Sequence, residues 1–256
     1  MIVAITGASS GIGYEVARAL QNEDNCLVLI GRDESRYQGL CRPNDVFFTC
    51  ELSSLASVAA AAEAVRDEFA TIDLLINNAA AAGQRGVTVD GFELAFGVNY
   101  LSHYLLTRSL GRVERVVNVS SEAHRGVKNL DPERGLGRTR SRLAWREYQF
   151  SKAAQIAFTQ SLVRRNVAAY AAHPGVIATD LWRRVPGFLS GFVTSRMQPP
   201  SAGAIPILRA ATDASLAPGS YMTPGGVVAP NPIVADAEVA ERLWQRSEQW
   251  VTVYLP

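Results

Sequence analysis

Ile2-Val3-Ala4-Ile5-Thr6-Gly7-Ala8-Ser9-Ser10-Gly11-Ile12-Gly13 carries an apolar strand through a Gly-x-x-x-Gly-x-Gly turn into a segment of helical period that ends near Gln21. A glycine-rich turn between a strand and a helix lets backbone N–H groups approach a pyrophosphate at the positive end of the helix dipole. A glycine triplet alone is weak, and a tight structural turn is the alternative. The strand before it and the helix after it favour a dinucleotide site.

Outward from that turn, short apolar runs alternate with longer segments of helical period, the pattern of βαβ units and a parallel sheet. The strands are expected at Ile2 to Thr6, Cys26 to Ile30, Val46 to Cys50, Ile72 to Asn77, Val113 to Val119, Val167 to Ala172 and Gly219 to Met222. Helices are expected at Gly11 to Gln21, Leu55 to Ala70, Phe92 to Leu110, Tyr148 to Arg164, Ser201 to Ala211 and Asp236 to Val251. The implied fold is α/β: a Rossmann-type doubly wound parallel sheet of about seven strands in a three-layer sandwich, one domain over 1–256. The polar stretch from Gly126 to Arg146, rich in Arg and Gly and interrupted by Pro132, reads as a long surface loop. Residues 181–200 mix Trp182, Phe188, Leu189, Phe192 and Met197 with prolines and glycines, and suit either a lid over the substrate or an ordinary amphipathic helix.

Composition excludes several classes. With 48% apolar residues and a formal net charge of +1, the chain is neither disordered nor suited to a polyanion, so no nucleic-acid partner is expected. Cys26, Cys41 and Cys50 have no metal-ligand spacing, no metal is expected, and their odd number fits a reducing compartment. No stretch approaches the roughly 20 apolar residues a membrane span needs, which implies a soluble, cytoplasmic protein.

The chemistry points to Tyr148-Gln149-Phe150-Ser151-Lys152. On a helix this spacing puts phenol and ammonium on one face, with Cβ atoms about 6 Å apart. A nearby cation lowers a phenol pKa that otherwise sits near 10, so Tyr148 can pass a proton near neutral pH. At the end of the second strand, Leu29-Ile30-Gly31-Arg32-Asp33 has no carboxylate at the strand end and brings a cation. That favours a ribose 2′-phosphate, hence NADP(H), with Asp33 read as a cap for the next short helix.

With the glycine turn, Asn99 and the Tyr148/Lys152 pair, the sequence resembles the short-chain dehydrogenase/reductase family in its compact single-domain subtype, over essentially the whole chain. The resemblance implies roles for these residues. Tyr148 would be the general acid/base. Lys152 would lower its pKa and bind the nicotinamide ribose. Ser121, in Val117-Asn118-Val119-Ser120-Ser121, would bond the substrate oxygen, and Asn99 would hold a water leading from Lys152 to solvent. Taken alone, Ser121 could be a strand-end cap and Asn99 a helix kink. Gly7, Ser9, Ser10, Gly11, Ile12 and Gly13 would cradle the pyrophosphate, with Arg32 on the 2′-phosphate. Glu51-Leu52 stands where the family has Asp-Leu against the adenine, and Asn77-Asn78-Ala79-Ala80 matches the Asn-Asn-Ala-Gly segment, so Asn78 and Ala79 would flank the adenosine. Pro174, Gly175, Ile177 and Thr179 would hold the carboxamide. His173 reads as a strand-end residue.

Val98-Asn99-Tyr100-Leu101-Ser102-His103-Tyr104-Leu105-Leu106-Thr107 and the C-terminal helix look like the retinol dehydrogenase and carbonyl reductase branch. A soluble NADPH-dependent reductase of a bulky apolar or aromatic ketone or aldehyde fits these features. Alternatives are the same chemistry run as alcohol oxidation, a non-catalytic NADP(H) sensor, and an extended-type sugar-nucleotide enzyme, whose glycine spacing is absent. The cations Arg125, Lys128, Arg134, Arg138, Arg140, Arg142 and Arg146 before Tyr148 form either a solvated loop or a selector of anionic substrates. The family analogy implies a homodimer or homotetramer through the helices of Asn99 and Tyr148, although Phe150, Ala153, Ala154, Ala157 and Phe158 serve equally well as core.

Overall fold

The computed structural model describes residues 1–175 and 198–256. Its strands are β1 (Ile2–Thr6), β2 (Cys26–Gly31), β3 (Val46–Thr49), β4 (Thr71–Asn77), β5 (Arg112–Val119), β6 (Ala168–Ala172), β7 (Tyr221–Thr223) and β8 (Gly226–Val228). They form one sheet in the order β3-β2-β1-β4-β5-β6-β7-β8, parallel throughout except for the β7–β8 pair. The eighth strand exceeds the seven expected. Gly226, at φ +105°, turns the chain back after Pro224-Gly225, and three residues are too few to show a period.

The helices are α1 (Gly11–Leu20), α2 (Leu55–Glu68), α3 (Leu94–Phe96), α4 (Ser102–Ser109), α5 (Trp145–Arg164), α6 (Pro200–Thr212), α7 (Pro232–Ala235) and α8 (Ala237–Val251). Between α3 and α4 the chain makes a π turn, Gly97–Leu101. One apolar layer lies under α1 and α6, with Val16, Ala17, Ile207 and Ala210 against Val3, Ile5, Leu27 and Ile76. The other lies under α2, α4, α5 and α8, where Val58, Leu105, Phe158 and Leu243 share a core with Ala4, Val28, Leu75 and Val116. Strands covered on both faces need apolar residues at successive positions, which is why β1 and β2 read as unbroken runs.

Strand order reverses between β1 and β4, and ligands of such sheets bind beyond the carboxyl ends of strands at that switch. Gly7 follows β1, Asn78 follows β4, Ser121 lies just beyond β5 and Pro174 just beyond β6, so the expected site residues gather along one edge. The segment 125–146 runs largely exposed along the surface but is pinned to it. A 3₁₀ turn at Pro132–Gly135 and a bridge from Phe92 to Leu136 hold it down, and Val127, Leu130, Gly135, Thr139 and Ala144 are buried. Apart from residues 198–200, the expected lid lies outside the described residues.

Candidate active site

Three glycines of the first turn do different jobs. Gly7 adopts φ +71°, and a Cβ there would crowd Ala79 at 2.9 Å; a Cβ at Gly13 would strike the Asn78 side chain and the Gly7 carbonyl oxygen. At Gly11 a Cβ would meet no protein atom within 4 Å, so this stretch of backbone faces open space, as a phosphate cradle requires. The residues present therefore fit a dinucleotide. Asn78 stitches the turn to β4: its Nδ2 donates to the Thr6 carbonyl oxygen (2.9 Å) and the Gly7 carbonyl oxygen (3.2 Å). Ser9 and Ile12 are half-buried and Ser10 exposed along the same turn.

At the end of β2, Gly31 lies against the Tyr37 hydroxyl, leaving no room for a side chain. Arg32 projects into solvent, 3.8 Å from Glu51 Oε2. Asp33 is a cap: its Oδ1 accepts from the Ser35 N–H (3.1 Å) and the Ser35 hydroxyl (2.6 Å). Glu51 Oε1 is held by the Ser53 N–H and hydroxyl, at 3.0 and 2.9 Å, beside the half-buried Leu52.

Tyr148 and Lys152 are both buried on α5. Ser121 lies close enough to the phenol to influence its ionisation, and the ammonium lies 5.6 Å from the centre of its ring. Ser121 is also the cap that its sequence allowed, its Oγ accepting from the Ala123 N–H at 3.2 Å. The electrostatics depart from the simple pairing argument. Burial pushes the Tyr148 pKa up, offset in part by the neighbouring Ser121 hydroxyl, and burial pulls the Lys152 pKa down to about 7. Taking both groups out of water opposes ionisation of each, and this outweighs the attraction expected from their spacing. Lys152 turns its ammonium to the Val119 carbonyl oxygen (2.7 Å) and Gln155 Oε1 (2.9 Å).

Asn99 sits in the π turn, as the kink reading expected. Its side-chain amide is not turned to Lys152: Oδ1 accepts from the Ala81 N–H (2.6 Å), and Nδ2 donates to the Ala81 carbonyl oxygen and Ser151 Oγ, both at 2.9 Å. Ser151 passes this on to the Tyr148 carbonyl oxygen at 2.9 Å, so Asn99 braces α5 against the segment after β4. Both amide hydrogens are used in this bracing, while Oδ1 fills one of its two lone pairs.

His103, which motif reading passed over, ties these parts together. Thr6 Oγ1 accepts from the N–H groups of Asn78 and Ala79, both at 3.0 Å, so its own hydrogen goes to His103 Nε2 at 2.9 Å. Nδ1 then carries the ring proton and donates to the Asn99 carbonyl oxygen at 2.9 Å. The imidazole is neutral, its pKa drawn down to about 4, chiefly by burial. Its position four residues after Asn99 was the one available signal.

Pro174 and Gly175 follow β6 at the site edge, Gly175 with φ +92°, while Ile177 and Thr179 lie outside the described residues. His173 is a buried strand-end residue, its N–H donating to the Met222 carbonyl oxygen at 2.8 Å. Trp145 stacks on the phenol ring of Tyr148 at 5.7 Å and is 48% exposed, so an aromatic face stands beside the phenol. Arg134, Arg138, Arg140 and Arg146 line a cavity of about 300 Å³ with Phe96 and Phe150. Arg146 and Phe150 share a face of α5 turned roughly 160° from Tyr148, given 100° per residue. Of these cations, Arg125 pairs with Glu122 at 2.6 Å. Among the described residues no helix is long and apolar enough to cross a membrane, and no group of three or more acidic, His or Cys side chains could hold a metal.

The family model for short chain dehydrogenases matches residues 1–131. Retinol dehydrogenase 13 of Homo sapiens is 32% identical over 99% of this chain and 85% of its own, and polyprenol dehydrogenase of Mus musculus 31% identical over 95% and 81%. Among solved structures, an uncharacterised protein from Mycobacterium paratuberculosis superposes with a TM-score of 0.79, at 31% identity over 98% of this chain and 93% of that one. The 3-ketoacyl-(acyl-carrier-protein) reductase of Brucella melitensis, complexed with NADH, shares the fold at a TM-score of 0.64 and 23% identity, over 87% of this chain and 95% of its own. Sequence, fold and the glycine cradle agree: this chain belongs to the short-chain dehydrogenase/reductase family, related to its retinol dehydrogenase branch, and its chemistry is nicotinamide-dependent hydride transfer to or from a small molecule.

Proposed function

We propose that the protein is an NADPH-dependent reductase of ketones or aldehydes with bulky apolar or aromatic bodies, able to run in reverse as an alcohol dehydrogenase. The observation that carries this reading is the buried pair on α5, the Lys152 ammonium 5.6 Å from the Tyr148 ring centre, with Ser121 beside the phenol. Ser121 would hold the substrate oxygen while Tyr148 gives it a proton, and Lys152 would hold the ribose and bias the phenol. NADPH, when bound, supplies the hydride. Asn99 contributes by fixing Ala81 and, through Ser151, the first turn of α5.

Preference for NADP(H) is supported by Arg32, which stands exposed at the strand end, and by Asp33, whose carboxylate is engaged by Ser35. An apolar substrate is supported by the exposed Trp145 stacked on Tyr148. A homodimer or homotetramer belongs to the same reading, with its contact away from the α5 face that α8 covers. Replacing Tyr148→Phe removes the proton and little else. Turnover of NADPH with a panel of carbonyl compounds should fall by about 10²- to 10⁴-fold, the usual worth of a positioned acid, while NADPH affinity by fluorescence titration stays unchanged. Retained turnover would place the acid elsewhere.

A further inference from the structure

Lys152 is buried without an acidic partner among the described residues, and burial alone accounts for its lowered pKa. The titratable groups around it are Tyr148 from α5, His103 from α4 and His173 from the end of β6. Both histidines are kept neutral by burial, and the phenol is neutral as well, so none of them holds an ammonium in place. Two neutral oxygens do so: the Val119 carbonyl and Gln155 Oε1.

Gln155 is itself 1% exposed, and its Nε2 has no hydrogen-bond partner among the described residues. A buried amide with one end unpaired is unfavourable, and such a group in a folded protein calls for an explanation. The paired end faces the lysine. Turning the amide over would aim an –NH₂ at the ammonium and strand the acceptor instead, so the lysine dictates its orientation. Tyr148, Lys152 and Gln155 stand at i, i+4 and i+7 on α5, one stripe of a helix.

We propose that Gln155 is the positioning residue of the catalytic lysine: its amide oxygen holds the Lys152 ammonium against the end of β5 and keeps it charged beside Tyr148. This rests on Tyr148 and Lys152 being the reacting pair, but its first test needs no turnover. The chain contains two lysines, Lys128 and Lys152, and Lys128 is exposed. Lysine labelled with ¹³C at Cε therefore gives two NMR signals, one of them an internal reference. In the wild-type protein the Lys152 signal should titrate well below that of Lys128.

Gln155→Leu removes the acceptor and should lower the Lys152 midpoint by about one pH unit, the worth of a hydrogen bond to a charged group. Gln155→Glu keeps the length, adds a charge and should raise the midpoint above wild type; Gln155→Asn, a shorter acceptor, should fall between Leu and wild type. The alkaline limb of kcat for carbonyl reduction should shift in the same order. A residue that only fills space would change yield or melting temperature and leave these midpoints in place. Should Gln155→Leu fail to fold, the Glu and Asn variants still decide: Lys152 curves superimposed on wild type overturn the proposal. A Tyr148→Phe enzyme that still turned over would remove Tyr148 as the acid and leave the lysine titration standing.

Discussion

On the proposed reading, cofactor choice turns on Arg32. Its guanidinium is exposed and only loosely approached by Glu51, so it is free to meet a 2′-phosphate, whereas a carboxylate there would repel one and suit a 2′-hydroxyl. Arg32→Asp should reverse the ratio of kcat/KM for NADPH over NADH, and an unchanged ratio would move recognition of the ribose elsewhere. Residues of this kind are legible in sequence because short spacings define them: Tyr148 to Lys152, Ser121 at a strand end, Gly7 to Gly13. His103 was not, since its partner Thr6 is 97 positions away and only the fold brings the two together. Gln155 was within reach, three residues past the lysine, but no motif includes it. The pKa argument for Tyr148 went astray for the same reason: spacing reports proximity and is silent on burial, which here dominates both groups.

At the level of elements, apolar periodicity located every strand from β1 to β6 and the main helices to within a few residues. It merged α3, the π turn and α4 into one helix from Phe92 to Leu110. A π turn takes in one more residue than an α turn, and the apolar stripe runs on across it, so period alone cannot reveal it. Its placement follows from Asn99 reaching out to both backbone groups of Ala81. The apolar residues of α5 that suited either an oligomer contact or the core are core within one chain. Phe150, Ala153, Ala154, Ala157 and Phe158 are each at most 3% exposed within a single chain, with Phe96 packed on Phe150 and α8 packed on Phe158 through Trp244. Trp244 of α8 packs on Tyr104 and Phe158 and carries Arg165 on its other side at 3.8 Å; Tyr100 and Ser247 share a hydroxyl bond of 2.7 Å. Trp244→Ala should cost about 3 to 5 kcal/mol in urea unfolding, as large aromatic deletions in cores do. A loss below 1 kcal/mol would mean that α8 is not integral to the core.

Across the whole molecule, two buried histidines couple stability to pH. His103 and His173 both have folded pKa values drawn down to about 4, mainly by burial, against roughly 6.5 in an unfolded chain. A depressed folded pKa gives stability that is fully present above 6.5 and is lost as pH falls towards 4, because the unfolded chain then takes up protons the fold refuses. The urea midpoint should therefore drop across that window. His103→Gln should flatten the drop by one proton's share relative to wild type; an identical slope would show that His103 is free to ionise in place.

The same packing has a consequence for how the molecule is made. Chains are synthesised from the N-terminus, and domains fold as their parts emerge. The helix bearing Tyr148 and Lys152 leaves the ribosome well before α8, so its aromatic and alanine face waits uncovered for a partner still being translated. Until α8 arrives, the nascent chain presents its greatest aggregation hazard on the helix that carries its chemistry, and a chain stopped short of α8 would keep that hazard for good.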